Sequence, residues 1–259
     1  MEVLTPRTLD EALALKAERP GALPIAGGTD VMVALNFDHA RPEALLNLEE
    51  VDELRGWSRE DGAIRLGARL TYAEVEHGPL RAELPALAEA SRTVGSPQIR
   101  NRGTIGGNLG TASPAGDALP PLLVAAGEVE LASVRGSRRL PLTAFLLGPK
   151  RNALEPDELV VAVRVRPGGA ETFMKVGPRN AMVIAVCSLA LRVDGELRAS
   201  FGSAGPVPGL VTAGVEEASS FPERVAEAAS PIDDVRGTAA YRRHALRVLT
   251  TRALERTLA

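Results

Sequence analysis

The segment Arg100–Asp117, with the sequence RNRGTIGGNLGTASPAGD, is rich in glycine and small polar residues and lies between two apolar segments. Small side chains leave backbone N–H groups unshielded, and glycine permits positive φ, so such a segment can curve around an anion. We interpret it as a phosphate-binding loop whose Asp117 carboxylate can accept hydrogen bonds from sugar hydroxyls. An ordered surface loop is the alternative, because glycine-rich loops are common. The side chains that could bind a polyol are those of Thr104, Asn108, Thr111 and Ser113.

Another glycine-containing segment, Gly27-Gly28-Thr29-Asp30, follows an apolar strand predicted at Leu23 to Ala26 and precedes a predicted helical turn. By order in the chain, we call it the first glycine segment and Arg100–Asp117 the second glycine segment. This order of elements directs backbone donors and the positive end of a helix dipole at a phosphate. Two such segments indicate a dinucleotide, because a pyrophosphate needs donors on more than one side. Neither segment fits the G-x-G-x-x-G or G-x-x-x-x-G-K-S/T template, which disfavours a Rossmann or P-loop protein.

The composition restricts the possible classes of function. The 259 residues are 45% hydrophobic and 24% charged, as expected of a globular chain. The net charge of −3 provides no general attraction to nucleic acid or to an anionic membrane. The longest apolar run, from Ala181 to Leu191, is too short to span a bilayer. Because the N-terminal sequence lacks the features of a signal peptide, we expect a cytoplasmic protein.

Few residues are available for metal binding or acid–base catalysis. Cys187 is the only cysteine, so the chain can form no internal disulfide. It cannot hold an iron–sulfur cluster, which takes about four thiolates, and its histidines lack the spacing of a zinc site. No hydrolase motif is present. We therefore predict no metal site and no catalytic residue, and we expect a bound cofactor to perform the chemistry.

Sequence patterns predict an α+β chain with a change of organisation at Val165 to Gly169. Before that point, helices and strands alternate, and capping boxes at Thr8 to Glu11 and Thr71 to Glu74 mark the starts of two helices. Asp117 is a candidate N-cap for a helix at Ala118 to Ala126. After it, the pattern predicts an antiparallel sheet followed by a long C-terminal helix. The strands predicted on the two sides of the boundary are Leu159 to Val165, Glu171 to Val176, Val183 to Val193 and Glu196 to Gly202.

Four segments resemble one protein family, and the resemblance covers nearly the whole chain. The family comprises the FAD-binding medium subunits of molybdenum hydroxylases, including the carbon monoxide dehydrogenase flavoprotein and the FAD domain of xanthine dehydrogenase. The segments are AGGTDVMVALN (Ala26 to Asn36), IRNRGTIGGNLGTASPAGDALPPLLVAAGEVEL (Ile99 to Leu131), KVGPRNAMVIAVCSLAL (Lys175 to Leu191) and PIDDVRGTAAYRRHALRVLTTRAL (Pro231 to Leu254).

The resemblance implies a two-part FAD-binding domain of the PCMH/vanillyl-alcohol-oxidase type at residues 1–167, with sub-domains of about 1–55 and 56–167. Residues 168–259 would form a C-terminal α+β domain, an antiparallel sheet with helices. The diphosphate of FAD would lie on backbone amides of both glycine segments, Asp117 would bind ribityl or ribose hydroxyls, and Val160 and Lys175 would approach the isoalloxazine. The remaining implied FAD-binding residues are Pro24, Ile25, Ala26, Gly27, Gly28, Thr29, Asp30, Thr104, Gly106, Gly107, Asn108 and Thr111.

The same resemblance implies two partners, a large molybdenum-cofactor subunit and a small 2Fe-2S subunit. The flavin subunit would receive electrons from the iron–sulfur clusters and pass them to a terminal acceptor. Its single cysteine agrees with clusters that lie in another chain. Two alternatives remain open at this point: a stand-alone FAD oxidase or dehydrogenase, and a non-enzymatic assembly module.

Overall fold

The computed structural model describes residues 1–259, and its strands form four sheets of three, five, four and two strands. The mixed α and β composition predicted from the sequence is confirmed. The strands are β1 (Glu2–Leu4), β2 (Leu23–Ile25), β3 (Ala44–Asn47), β4 (Trp57–Glu60), β5 (Ala63–Gly67), β6 (Glu128–Ser133), β7 (Gly136–Pro141), β8 (Leu146–Gly148), β9 (Arg151–Asn152), β10 (Leu159–Val165), β11 (Ala170–Val176), β12 (Cys187–Val193), β13 (Glu196–Gly202) and β14 (Gly209–Gly214).

The helices lie mainly between the strands of different sheets, and the longest one ends the chain. They are α1 (Leu9–Glu18), α2 (Val31–Asn36), α3 (Tyr72–His77), α4 (Leu80–Glu83), α5 (Pro85–Thr93), α6 (Pro97–Arg102), α7 (Ile105–Thr111), α8 (Leu119–Val124), α9 (Leu142–Phe145), α10 (Phe221–Ala228) and α11 (Ala239–Leu258). No helix combines the length and the apolar composition needed to cross a membrane.

The first sheet is small and parallel, in the order β1-β3-β2. Parallel neighbours need a crossover connection; α2 lies in the connection between β2 and β3, and α1 lies in the longer connection from β1 to β3. Thr8 caps α1 because its hydroxyl accepts the N–H of Glu11 at 3.2 Å, while the Glu11 carboxylate accepts the N–H of Arg7 at 2.8 Å. This sheet ends beside the first glycine segment, because β2 runs directly into it.

The second sheet is antiparallel, in the order β4-β5-β10-β6-β7. Its central strand β10 lies at the position expected for it and is buried at every residue. β10 is therefore covered on both faces of the sheet. Its one charged side chain, Arg164, donates to the Glu60 carboxylate at 2.6 Å, so its burial is compensated.

The second glycine segment, Arg100–Asp117, is mostly helical, so its interpretation as one long loop is wrong. Helices α6 and α7 occupy most of it. The Thr104 hydroxyl accepts the N–H of Gly107 at 3.0 Å and caps α7. Gly106 packs closely against Ala68, the residue that follows β5, and a Cβ on Gly106 would lie 2.6 Å from Ala68 Cβ. A helix forms here despite three glycines because packing and capping outweigh the low helix propensity of glycine.

The third sheet is antiparallel, in the order β11-β12-β13-β14, and α10 and α11 cover one of its faces. Three of its strands were expected, but β12 begins at Cys187 rather than at Val183. The fourth strand, β14, is an edge strand that the sequence analysis missed. A Cβ at Gly209 would overlap the ring of Phe201 on β13, so this pairing requires glycine there.

Two apolar cores correspond to the sheets before and after the Pro167-Gly168-Gly169 segment. One large cluster contains buried residues between Ala12 and Val165. The other contains buried residues between Cys187 and Leu254. A small third cluster, which includes Ala86, Val124 and Phe173, joins the two halves of the chain.

The packing of α11 predicts which of its leucines stabilises the fold. Leu246 is fully buried against the third sheet, whereas Leu258, on the same helix, is 51% exposed. We expect Leu246→Ala to lower the free energy of unfolding by about 3 kcal/mol, because it leaves a cavity in a packed core. The matched change Leu258→Ala should cost no more than about 0.5 kcal/mol. Denaturant unfolding followed by circular dichroism measures both, and equal effects would contradict this account of the core.

Candidate functional site

Two adjoining cavities lie where the three larger sheets approach one another. The smaller, of about 350 Å³, is bounded by the first glycine segment, α7 and β10. The larger, of about 900 Å³, lies between residues 113–117 and the C-terminal part of the chain. They share the lining residues Thr29, Asp30, Tyr72 and Asn108, so they form one continuous cleft.

The backbone from Ala26 to Val31 supplies unpaired hydrogen-bond donors to the smaller cavity. None of the N–H groups in this segment donates to any protein group. Gly28 takes a positive φ of 75°, which reverses the chain before α2. Gly27 lies against the Arg102 carbonyl, where a Cβ would overlap it. Consecutive backbone donors arranged in this way form an anion-binding concavity.

At the start of α7, the second glycine segment has backbone amides that are paired with other protein groups. The N–H groups of Ile105, Gly106 and Gly107 donate to Leu70, Ala68 and Thr104 respectively, at 2.8–3.0 Å. These three amides are therefore already paired within the protein.

Side-chain groups of α7 face the cleft instead. The Asn108 side-chain oxygen is buried without a hydrogen-bond partner, and the Thr111 hydroxyl donates to Asp30 at 2.9 Å. This last contact ties α7 to the first glycine segment. A Cβ at Gly107 would meet only the Thr104 hydroxyl, at 3.0 Å, and one at Gly110 would meet nothing within 4 Å. These glycines therefore leave open space in the cavity.

Asp117 places a buried carboxylate on the wall of the larger cavity. One of its oxygens accepts from Lys175 Nζ at 2.5 Å, and the other has no hydrogen-bond partner. Burial raises the pKa of Asp117 to about 6, and the Lys175 ammonium opposes that shift. The side chain is 8% exposed, so its unpartnered oxygen is suited to accept hydrogen bonds from a bound ligand.

Asp117 does not cap the following helix, contrary to the N-cap interpretation. Helix α8 begins at Leu119, its N-cap position is Ala118, and no side chain caps it. The residues at the next positions, Pro120 and Pro121, have no N–H group that a cap could satisfy. The carboxylate is therefore available to the cleft.

The structure brings most of the expected site residues to one place. Of these, Val160 closes the wall of the smaller cavity, Asp117 lines only the larger one, and Lys175 reaches the site through Asp117. Ile25 lines neither cavity; its side chain packs beneath Gly28. The other expected residues in the lining of the smaller cavity are Pro24, Ala26, Gly27, Gly28, Thr29, Asp30, Thr104, Gly106, Gly107, Asn108 and Thr111.

Several lining residues were not identified from the sequence. Tyr72 is 5% exposed and borders both cavities, and burial raises the pKa of its phenol. The capping box at Thr71 marked the start of α3 in the sequence, but it did not indicate where the next side chain would point. Arg69, at the turn after β5, lines the smaller cavity and was also missed.

The C-terminal wall of the larger cavity contains a group of charged residues that the sequence analysis did not single out. Asp234 accepts from Arg242 at 2.5 Å and from Arg236 at 2.7 Å. These hydrogen bonds, with that of Arg236 the stronger influence, hold the pKa of Asp234 down at about 2. Arg242 also donates to the Ser203 carbonyl, which fixes the wall to the end of β13.

The cleft suits a long cofactor with an anionic segment and a polyol. It offers unpaired backbone donors in the smaller cavity and unpartnered side-chain acceptors at Asn108 and Asp117. Its other walls are largely apolar, and the lining contains no histidine or cysteine. The site can therefore bind and orient a cofactor that supplies the reactive group.

The pairing of Asp117 with Lys175 predicts a titration that depends on the ammonium. In Lys175→Met the charge that opposes burial is lost, so the pKa of Asp117 should rise further above about 6. Folding raises this pKa above the ordinary value, so its contribution to stability is greatest below about pH 4. That contribution falls as the pH rises through the folded-state pKa.

Carboxyl carbon NMR of aspartate-labelled protein measures this titration, and Asp117→Asn assigns the signal. Lys175→Arg keeps the positive charge and is the matched control. An unchanged titration midpoint in Lys175→Met would show that the ammonium does not act on Asp117.

Comparison with known proteins agrees with this geometry. The family model described as the FAD binding domain in molybdopterin dehydrogenase matches residues 1–167. The chain is 39% identical over 204 residues to the nicotinate dehydrogenase FAD-subunit of Eubacterium barkeri, covering 74% of this chain and 69% of that protein. It is 31% identical over 274 aligned positions to the xanthine dehydrogenase FAD-binding subunit of Escherichia coli O157:H7, covering 97% and 94%.

The fold is also similar to a solved structure. A chain of carbon monoxide dehydrogenase from Hydrogenophaga pseudoflava, in a form that lacks the Mo-pyranopterin moiety, superposes with a TM-score of 0.91 at 26% identity. The match covers 100% of this chain and 97% of that one. The resemblance noted in the sequence is thereby confirmed: the chain belongs to the family of FAD-binding subunits of molybdopterin dehydrogenases and is an oxidoreductase subunit.

Proposed function

We propose that this chain carries FAD as the electron-transfer subunit of a molybdenum hydroxylase complex. It receives electrons from iron–sulfur clusters of a partner subunit and passes them to a terminal acceptor. The observation that carries this proposal is the continuous cleft, with unpaired N–H groups from Ala26 to Val31 at one end and the Asp117 carboxylate at the other.

The cleft gives each end of FAD an environment that matches its chemistry. The diphosphate binds the unpaired amides of the first glycine segment, and Gly107 leaves room for it beside Thr104. The unpartnered oxygen of Asp117 would accept hydrogen bonds from ribityl or ribose hydroxyls, and Val160 and Lys175 would approach the isoalloxazine. Lys175 acts on the cofactor through Asp117, and Val160 supports the smaller cavity from β10.

The domain organisation belongs to the same proposal. Residues 1–167 form a FAD-binding domain of the PCMH/vanillyl-alcohol-oxidase type, and residues 168–259 form a C-terminal α+β domain. The separate apolar cores on the two sides of the Pro167-Gly168-Gly169 segment support this division. The three-stranded parallel and five-stranded antiparallel sheets support sub-domains of about 1–55 and 56–167, which share one core.

The partners follow from what the chain lacks and from the names of its relatives. With Cys187 as its only cysteine, buried in the third sheet, the chain cannot ligate a cluster of its own. Relatives include a carbon monoxide dehydrogenase medium chain and a nicotine 6-hydroxylase medium subunit, names that denote one component of an assembly. We therefore assign the clusters to a small 2Fe-2S subunit and substrate oxidation to a large molybdenum-cofactor subunit. Bound FAD supplies a redox group that accepts and releases electrons.

Filling the space beside Gly107 tests the position of the diphosphate. The side chain of Gly107→Val would project into the smaller cavity, so we expect FAD affinity to fall about tenfold or more. Gly21→Val, at an open position outside both cavities, should leave the affinity unchanged. Fluorescence titration of the apoprotein with FAD gives both dissociation constants. Equal affinities in the two variants would refute this placement of the diphosphate.

The partner assignment is tested by purification of the tagged full chain from its native host. We expect two further subunits by mass spectrometry, together with molybdenum and iron in the purified complex. Electron transfer from a hydroxylatable substrate should require all three chains. A chain that purifies alone and oxidises an organic donor with bound FAD would instead identify a stand-alone flavin enzyme.

A further inference from the structure

The smaller cavity is lined by more acidic than basic side chains, so its backbone amides alone would not offset the charge of a diphosphate. Its lining contains two carboxylates, Asp30 and Glu158, and a single cationic side chain, Arg69. Glu158 is neutralised by a two-point hydrogen-bonded pair with Arg138 at 2.7 Å, but Asp30 accepts only from a hydroxyl. A doubly anionic diphosphate beside Asp30 would meet repulsion unless a cation lies close to it.

Arg69 is held in place by the backbone while its charge remains unpaired. Its N–H donates to the Leu54 carbonyl at 2.8 Å, and its Nη1 donates to the Val51 carbonyl at 3.1 Å. Neither bond neutralises the guanidinium, and Arg69 forms no ion pair with a carboxylate. Its neighbours differ in this respect, because Arg55 pairs with Asp52 at 3.3 Å and Arg102 pairs with Glu49 at 2.7 Å.

Arg69 also lines the same cavities as residues of the segment with the unpaired amides. Arg69 lines the smaller cavity and, on its other side, a neighbouring polar cavity of about 260 Å³. Ala26, Gly27 and Thr104 line the same two cavities. Arg69 therefore belongs to the same stretch of cavity wall as the start of the first glycine segment and the cap of α7.

We propose that Arg69 is the cation that recognises the diphosphate of FAD and makes the site selective for FAD over flavins that lack a diphosphate. This proposal rests on the proposed function. Guanidinium groups suit phosphate oxygens because their N–H donors form a planar fork. The Nη1 bond to Val51 keeps the side chain in place, and the other guanidinium donors of Arg69, a lining residue of the cavity, have no protein partner. The backbone amides fix the position of the diphosphate, and Arg69 offsets its charge.

The test compares flavins with and without phosphates in Arg69→Gln, using the full chain freed of cofactor. We expect the FAD dissociation constant to increase about tenfold, because a charge-assisted hydrogen bond is lost. The affinity for riboflavin, measured by competition with FAD, should not change. Increasing salt should weaken FAD binding to the wild-type chain more than to the variant, because it screens the lost interaction.

Two further variants distinguish the effect of the Arg69 charge from a general disturbance of the fold or of the neighbouring cavity. Arg69→Lys keeps a positive charge and should restore the salt dependence. Arg55→Gln removes a cation of the neighbouring polar cavity that is already paired, and it should bind FAD as the wild type does. Thermal unfolding of the apoproteins shows whether Arg69→Gln disturbs the fold.

Three results would overturn the role of Arg69. They are an unchanged FAD affinity in Arg69→Gln, an equal loss for riboflavin, or an equal loss in Arg55→Gln. Failure of the wild-type chain to bind FAD would instead overturn the proposed function, so the two failures are distinguishable.

Discussion

Unpaired backbone donors from Ala26 to Val31 are the constraint on which the rest of the structure depends. A folded chain normally pairs such groups, since an unsatisfied N–H costs free energy when it is buried. Here the surrounding elements hold the segment open: β2 anchors one end, α2 the other, and the Arg102 carbonyl presses against Gly27. Together, β2, α2 and the end of α6 hold these donors at the edge of the smaller cavity.

The other end of the cleft is made by contacts between distant parts of the chain. Glu89 on α5 accepts from the Thr172 hydroxyl at 2.9 Å, from the Phe173 N–H at 2.7 Å and from Arg256 at 2.6 Å. The pair of Asp117 and Lys175 lies beside this junction and carries two buried charges. Removing one partner of such a pair leaves an uncompensated charge, so the pair constrains how the third sheet docks.

The sequence predicted the elements with strong local patterns. The capping boxes located the starts of α1 and α3, the apolar run located β10, and the Pro167-Gly168-Gly169 segment lies between β10 and β11. Prediction from the sequence failed where tertiary packing overrides the local preference of the residues. Glycines suggested a loop where α7 forms, and the edge strand β14 depends on a ring from β13 that only the fold brings near.

The same distinction applies to the candidate site. The glycine and hydroxyl residues of both glycine segments could be predicted as site residues because these segments are unusually rich in glycine and small polar residues. Tyr72, Arg69 and the Asp234 group were missed because ordinary residue types become site residues only through their position. Of the two roles predicted for Asp117, the N-cap was wrong, because the two prolines in the first turn of α8 have no N–H group for a carboxylate to cap.

The contact between Asp117 and Lys175 also connects the binding site to the packing of the third sheet on the rest of the chain. The carboxylate belongs to the half that holds the unpaired amides, and the ammonium belongs to β11 of the third sheet. A ligand that binds only when both are in place stabilises their docked arrangement by its own binding free energy. A ligand held at Asp117 would therefore stabilise the packing of the third sheet on the first half of the chain, so that its binding and the stability of the subunit would be thermodynamically linked.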